Sequence, residues 1–119
     1  MAAERCGFTV ASPKDIGTLV RASITVSHRG QSRTQVVEDK AALKKLASIL
    51  KRAKKTNLGN CPYTGVLTMV MQDGRVVTVQ KATDSCRAFV FGSAMGYKID
   101  AKADKQFRKI FSDAFSVLP

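Results

Sequence analysis

Three cysteines and one histidine are the residues of this sequence whose chemistry depends most on what stands near them. Cys61 and Cys86 lie near the two ends of the stretch NCPYTGVLTMVMQDGRVVTVQKATDSCRAF, which has an Asp-Gly pair near its centre. Asp-Gly tolerates the positive φ angles of a type I′ turn, and apolar, β-branched runs flank it. The stretch therefore predicts a β-hairpin with a cysteine beside each outer end.

The position of the turn determines whether these cysteines meet. If Asp73 and Gly74 form a two-residue loop, opposed residues have numbers that sum to 147, as those of Cys61 and Cys86 do. They would then occupy a non-hydrogen-bonded pair, where side chains approach closest, and this spacing suits a disulfide. A β-bulge close to either cysteine would break the register. The alternative is two reduced, half-buried cysteines.

The same register divides the side chains of the hairpin between two faces. Leu67, Met69 and Met71 would share one face with Val76, Thr78 and Gln80, and Val66, Thr68 and Val70 the other face with Val77, Val79 and Lys81. Both faces are largely apolar, with a more polar end away from the turn. We therefore expect helices to cover both faces, in preference to one face left open for a partner.

The remaining reactive residues do not form a catalytic or metal-binding constellation. His28 stands in a predicted turn without a carboxylate or cysteine at triad or ligand spacing. Asp84 is close to Cys86 but lacks a base, and no C-x-x-C pair or phosphate-binding loop is present. Cys6 lies in the N-terminal segment, where it would be free or attached to another group. We expect no catalytic residue, no metal site and no cofactor, and hence no enzyme.

Charge is the strongest feature of the composition, with 20 Lys plus Arg against 9 Asp plus Glu, a formal +11. Such a balance predicts anionic partners. The segment EDKAALKKLASILKRAKKTNLGN predicts an amphipathic helix with Asp39 as N-cap and a stop at residues 57–59. Between residues 40 and 55 it has seven cations and no anion, whereas a merely solvated helix normally mixes signs. The candidate anion-binding residues are Lys44, Lys45, Lys51, Arg52 and Lys55. The alternative is a basic surface without a specific anion-binding role.

Periodicity predicts an α+β domain: a mostly antiparallel sheet of about five to six strands packed against two amphipathic helices, in the order β-β-α-β-β-β-β-α. The first strand alternates Val20, Ala22, Ile24 and Val26 with polar residues, and SHRGQSR contains the turn to the second strand. We expect residues 1–17 to be a flexible N-terminal segment and residues 18–119 a single domain.

In layout, residues 38–115 resemble small extracytoplasmic domains, many of unknown function, of lipoproteins and membrane proteins of Gram-positive bacteria (Firmicutes). The resemblance lies in the helix DKAALKKLASILKRA, the strand pair LTMVMQDGRVVTV, the strands FVFGSAMGYKI and the closing helix KQFRKIFSDAF. It implies an extracytoplasmic location, which suits a disulfide and a basic surface facing an anionic cell envelope.

The function expected from the sequence is non-catalytic binding of an anionic partner: a cell-envelope polymer, a lipid surface or an acidic protein. The alternative is a cytoplasmic nucleic-acid-binding protein that contacts phosphates through the same basic helix. The first fifteen residues lack the apolar core of a secretory signal, so the protein either is cytosolic or has lost a signal or anchor.

Overall fold

The computed structural model describes residues 12–57, 61–84, 86–91 and 95–119. These residues form one antiparallel sheet of seven strands in the spatial order β2-β1-β4-β5-β6-β7-β3. The strands are β1 (Leu19–His28), β2 (Gln31–Val37), β3 (Lys54–Thr56), β4 (Gly65–Met71), β5 (Val76–Lys81), β6 (Ala88–Phe91) and β7 (Met95–Lys98). The helices are α1 (Lys40–Lys51), α2 (Ala101–Ile110) and the short α3 (Ser112–Phe115). The predicted α+β class is confirmed, with β3 as an additional strand.

Helix α1 begins where the sequence predicts but ends earlier. The Asp39 carboxylate accepts a hydrogen bond from the backbone N–H of Ala42 at 2.9 Å, which satisfies one of the unpaired donors of the first turn. The helix ends at Lys51 rather than at residues 57–59. The chain then forms β3, an edge strand in which Lys55 lies opposite Tyr97. The hydrogen bonds of residues 54–56 with β7 replace those that these residues would make in a longer helix.

The first hairpin has the two-residue turn that was predicted for the central one. His28 pairs with Gln31, and the intervening Arg29 and Gly30 have φ angles of 51° and 79°. Positive φ at both loop residues is typical of a type I′ turn. At the other end of β1, a register shift at Val20 interrupts the expected alternation and leaves this residue 45% exposed. Val20 is therefore not on the buried face with the other apolar residues of β1.

The central hairpin has a three-residue loop, so the predicted register is wrong by one residue. Gly65 pairs with Lys81 and Val70 with Val76, which gives number sums of 146 instead of 147. The backbone N–H of Met71 donates to the carbonyl of Arg75, and Gly74 has a φ of 91°. This geometry is that of a turn closed by a glycine bulge.

A one-residue shift moves every side chain of one strand to the opposite face. The predicted faces are thus exchanged on β5. Val77 and Val79 join Leu67 and Met69 in the core, whereas Val76 is 60% exposed. Lys81, which was expected beside the more polar end of a covered face, is fully buried among the core residues.

Both long helices pack on the same face of the sheet. Leu46 and Leu50 of α1 and Phe107 of α2 are buried in one core with the inward residues of β1, β4 and β5. The other face carries Val66 and Val76, both exposed. The expectation that helices cover both faces is therefore wrong. The shifted register explains this result, because it collects the large apolar side chains on one face and leaves threonine and valine on the other.

The core extends into the segment that was expected to be flexible. Pro13–Asp15 form a 3₁₀ turn in which the side chain of Ser12 accepts a hydrogen bond from the backbone of Lys14. Ile16 is only 2% exposed and belongs to the core. The packed domain therefore includes Ile16, while residues 1–11, including Cys6, lie outside the described residues.

Candidate functional site

A groove runs along α1 on the side that faces the beginning of β1. It has a volume of about 850 Å³, within the range typical of ligand sites. Its cationic lining residues are Lys40, Lys44, Lys51 and Arg52, and its apolar lining residues are Leu19, Val20, Leu43 and Ala47. We call this feature the basic groove.

Helical geometry brings the cations of the basic groove together. Lys40 and Lys44 are four residues apart, and Lys51 follows Lys44 by seven, so all three lie along one side of α1. Arg52 caps the C-terminal end of the helix, where a cation also offsets the negative end of the helix dipole. Their side chains are exposed to solvent. An anion in the groove would therefore face several cations at once.

Acidic groups oppose this charge only weakly. Glu38 is the one acid among the described lining residues, and its carboxylate is already 3.9 Å from the guanidinium of Arg21. None of the four lining cations forms an ion pair with another described residue. The groove therefore presents net positive charge to whatever enters it.

Three of the five predicted anion-binding residues line this groove, and two do not. Lys44, Lys51 and Arg52 are lining residues. Lys45 is exposed on α1 but is rotated about 100° from Lys44, away from the groove. Lys55 belongs to β3 and not to the helix. Lys40 is the lining cation that the prediction omitted, although its four-residue spacing from Lys44 was visible in the sequence.

A buried ion pair joins the end of β5 to α2 and was not anticipated. The Lys81 ammonium donates to Asp104 Oδ1 at 2.8 Å and to the carbonyl of Ala82 at 2.9 Å. The other carboxylate oxygen of Asp104 accepts from Arg108 Nε at 2.9 Å. The Lys81 ammonium also lies 5.2 Å from the centre of the Phe107 ring.

Burial of Lys81 lowers the pKa of its ammonium by more than the nearby Asp104 carboxylate raises it. A lysine with a lowered pKa can act as a nucleophile, but only where a substrate can reach it. The Lys81 side chain is 1% exposed. We therefore assign the pair to packing and not to catalysis.

Cys61 and Cys86 form a disulfide, which is one of the two alternatives that the sequence left open, but they lie outside the strand ladder from which the pairing was inferred. Their Cα atoms are 6.1 Å apart. Cys61 precedes β4 and Cys86 follows β5, so neither belongs to the paired strands. The backbone N–H of Thr83 donates to the carbonyl of Pro62 at 3.2 Å and holds these flanking segments together. The hydrogen-bonded segments that flank the two strands, and not the register of the strands, bring the sulfurs within bonding distance.

The histidine lies at the end of a strand and not in the turn where the sequence predicted it, and most of the described aromatic residues lie in the core. His28 is half-buried at the end of β1 and lines a second cavity of about 670 Å³, together with Asp84 and Arg108. Phe89, Phe91, Phe107, Phe111 and Phe115 are buried in the core. Tyr63 is the one described aromatic residue that is not classed as buried. The described surface therefore offers no platform of several aromatic rings.

No helix in the described ranges has the length and hydrophobicity of a membrane-spanning segment. Comparisons with protein-family models, with curated proteins and with solved structures return no match for this chain.

Proposed function

We propose that this protein is a non-catalytic binding domain that holds an anionic partner in the basic groove. The observation that carries the proposal is the convergence of Lys40, Lys44, Lys51 and Arg52 on one cavity whose single described acid, Glu38, faces an arginine. Cations that share one groove act on the same ligand, whereas scattered surface cations only raise the net charge.

The partner class that fits this groove is an anionic polymer of the cell envelope, with a lipid surface and an acidic protein as the other anionic candidates. An extracytoplasmic location belongs to the same proposal. The Cys61–Cys86 disulfide supports it, because such bonds persist in oxidising compartments and are rare in the cytosol.

Nucleic acid in the cytoplasm is the alternative partner, with phosphates contacting the same side chains. Proteins that bind single strands usually add exposed aromatic rings on which the bases stack. Apart from the half-buried Tyr63, the described aromatic residues are buried. This arrangement favours a partner that is recognised through its charge and not through bases.

The test compares charge reversal inside and outside the basic groove. Lys44→Glu/Lys51→Glu changes two lining residues, and Lys102→Glu/Lys105→Glu makes the same change in net charge at two exposed positions of α2. Binding to polyphosphate and to single-stranded DNA with the same number of phosphates would be measured over a range of salt concentrations. We expect the groove variant to lose affinity and the α2 variant to stay close to the parent protein.

The salt dependence gives an independent readout. For a single-stranded polyanion, each lost phosphate contact reduces the slope of log K against log salt by about 0.7. The groove variant should therefore have a slope shallower by about 1.4. Equal losses in both variants would mean that net charge alone drives binding and would reject the groove. A clear preference for DNA over polyphosphate would favour the nucleic-acid alternative.

A further inference from the structure

Three potential metal ligands meet where the central hairpin opens. The sulfur atoms of Cys61 and Cys86 and a carboxylate oxygen of Asp84 all lie within 4.8 Å of one another. The two cysteines are half-buried, and Asp84 is exposed. Two sulfurs and one oxygen on one side of an accessible site form a ligand set that zinc accepts.

The backbone around these ligands is held by contacts that do not involve the disulfide. The N–H of Cys86 donates to Asp84 Oδ1 at 2.8 Å, and Arg108 Nη2 donates to the Asp84 carbonyl at 2.7 Å. The hydroxyls of Thr64 and Thr83 are 2.7 Å apart and join the segments that carry the two cysteines. These hydrogen bonds remain available when the sulfur–sulfur bond is broken, so both thiols should stay near Asp84.

We propose that reduction of the Cys61–Cys86 disulfide converts this cluster into a zinc site formed by both thiolates and the Asp84 carboxylate, with water as the fourth ligand. A dithiol reductant supplies two electrons and two protons, becomes a disulfide itself, and leaves two thiols. Zinc binding then displaces the two thiol protons to solvent. The disulfide and the metal are thus mutually exclusive occupants of the same sulfur atoms. This inference is independent of the basic groove.

The electrostatic surroundings favour such a complex. Two thiolates and one carboxylate bring three negative charges, so the complex with Zn²⁺ has a net charge of −1. The guanidinium of Arg108 contacts the backbone of Asp84, and the whole chain has a formal charge of +11. Neighbouring cations also favour the thiolate over the thiol. The thiolate is the form that binds metal. The negative charges of the two thiolates and the Asp84 carboxylate attract Zn²⁺ locally, although the chain as a whole is positively charged.

The test uses cobalt as a spectroscopic substitute for zinc in the 119-residue chain with the Cys6→Ser substitution, which leaves two thiols. Reduced protein, freed of reductant without oxygen, is titrated with Co²⁺ and then with Zn²⁺. We expect a thiolate-to-cobalt charge-transfer band and intense visible bands of a four-coordinate ion, at one cobalt per chain. Zinc should abolish these bands, and the oxidised protein should not develop them.

Substitutions then test the carboxylate. Asp84→Asn retains an oxygen that can accept from the Cys86 N–H but removes the charge, and it should weaken cobalt binding by about tenfold or more. Asp73→Asn is the matched control, because Asp73 lies in the turn at the opposite end of the hairpin. It should bind cobalt like the parent. Absence of the charge-transfer band in reduced protein, whether folded or unfolded, would overturn the proposal, as would unchanged affinity in Asp84→Asn.

Discussion

Removal of the Asp104 carboxylate should destabilise this protein far more than removal of its lysine partner. Asp104→Asn keeps the size of the side chain and an oxygen acceptor but removes the negative charge, so the Lys81 ammonium is left with neutral acceptors, among them the carbonyl of Ala82. Lys81 has a relative exposure of 0%, so water cannot replace the lost carboxylate. Lys81→Met instead leaves a carboxylate that still accepts from Arg108. Asp104→Asn therefore leaves a buried charge without an opposite charge, whereas Lys81→Met does not.

The structure sets the expected magnitudes. Loss of one partner from a buried ion pair costs about 3–5 kcal/mol in the free energy of unfolding. For a chain of this size, that corresponds to a fall in Tm of about 12–20 °C. Lys81→Met should cost much less, because an apolar side chain of similar length fills the same space and a buried pair is weakly stabilising overall. Asp113→Asn is the matched control: its carboxylate pairs with Arg33 on the surface, and the cost should be about 0–1 kcal/mol.

Urea denaturation followed by far-ultraviolet circular dichroism, with the disulfide intact, measures these differences. Agreement of the transition slopes among the variants would show that the same unfolding reaction is compared. A cost of Asp104→Asn no greater than that of Asp113→Asn would contradict the prediction, and so would a loss of stability in Lys81→Met as large as that in Asp104→Asn. Either result would mean that water or a rearranged side chain reaches the Lys81 ammonium.

Four further predictions concern single features of the fold. Reduction of the disulfide between Cys61 and Cys86, which are 25 residues apart, should lower the free energy of unfolding by about 3 kcal/mol, measured by urea denaturation with and without reductant. Asp39→Ala removes the cap of α1 and should cost about 1 kcal/mol in the same assay. Gly74→Ala should cost about 1–2 kcal/mol through backbone strain alone, because φ is 91° and no atom lies within 4 Å of the added methyl group. Finally, since burial lowers the pKa of Lys81 from 10.5, the unfolded chain binds more protons between the lowered pKa and 10.5. The stability of the parent relative to Lys81→Met should therefore rise as pH increases through this window, and a flat or falling difference would contradict the shift.

The central hairpin shows how a correct local inference can produce a wrong register. Asp-Gly marks a turn in both the predicted and the observed structure, but glycine with positive φ fits a two-residue loop and also a three-residue loop with a bulge. The division of the apolar side chains between the two faces of the hairpin distinguishes the two loops. In the observed register Val77 and Val79 share a face with Leu67 and Met69, whereas the predicted register set Thr78 and Gln80 beside those residues. A comparison of the two registers by face would have favoured the observed one.

Local sequence patterns predicted part of the basic groove. Helical spacing identified Lys44 and Lys51, and the N-cap at Asp39 was also correct. The assignment of Lys55 to the same helix failed because β7 offers an edge that takes residues 54–56 into the sheet. That edge exists only after residues about forty positions later in the chain have folded, so local propensity contains no information about it.

The sequence by itself determined the α+β class, the central turn, the start of α1 and the net charge, because these depend on composition or on residues within a few positions of each other. Only the tertiary structure decided the register, the burial of Lys81 beside Asp104, and the assembly of the basic groove between α1 and β1. These features depend on contacts between distant segments, where one residue of shift reverses which side chains are buried. The Cys61–Cys86 disulfide belongs to both groups: the sequence suggested the pair, and the folded connection between the strand ends supplied the geometry that joins it.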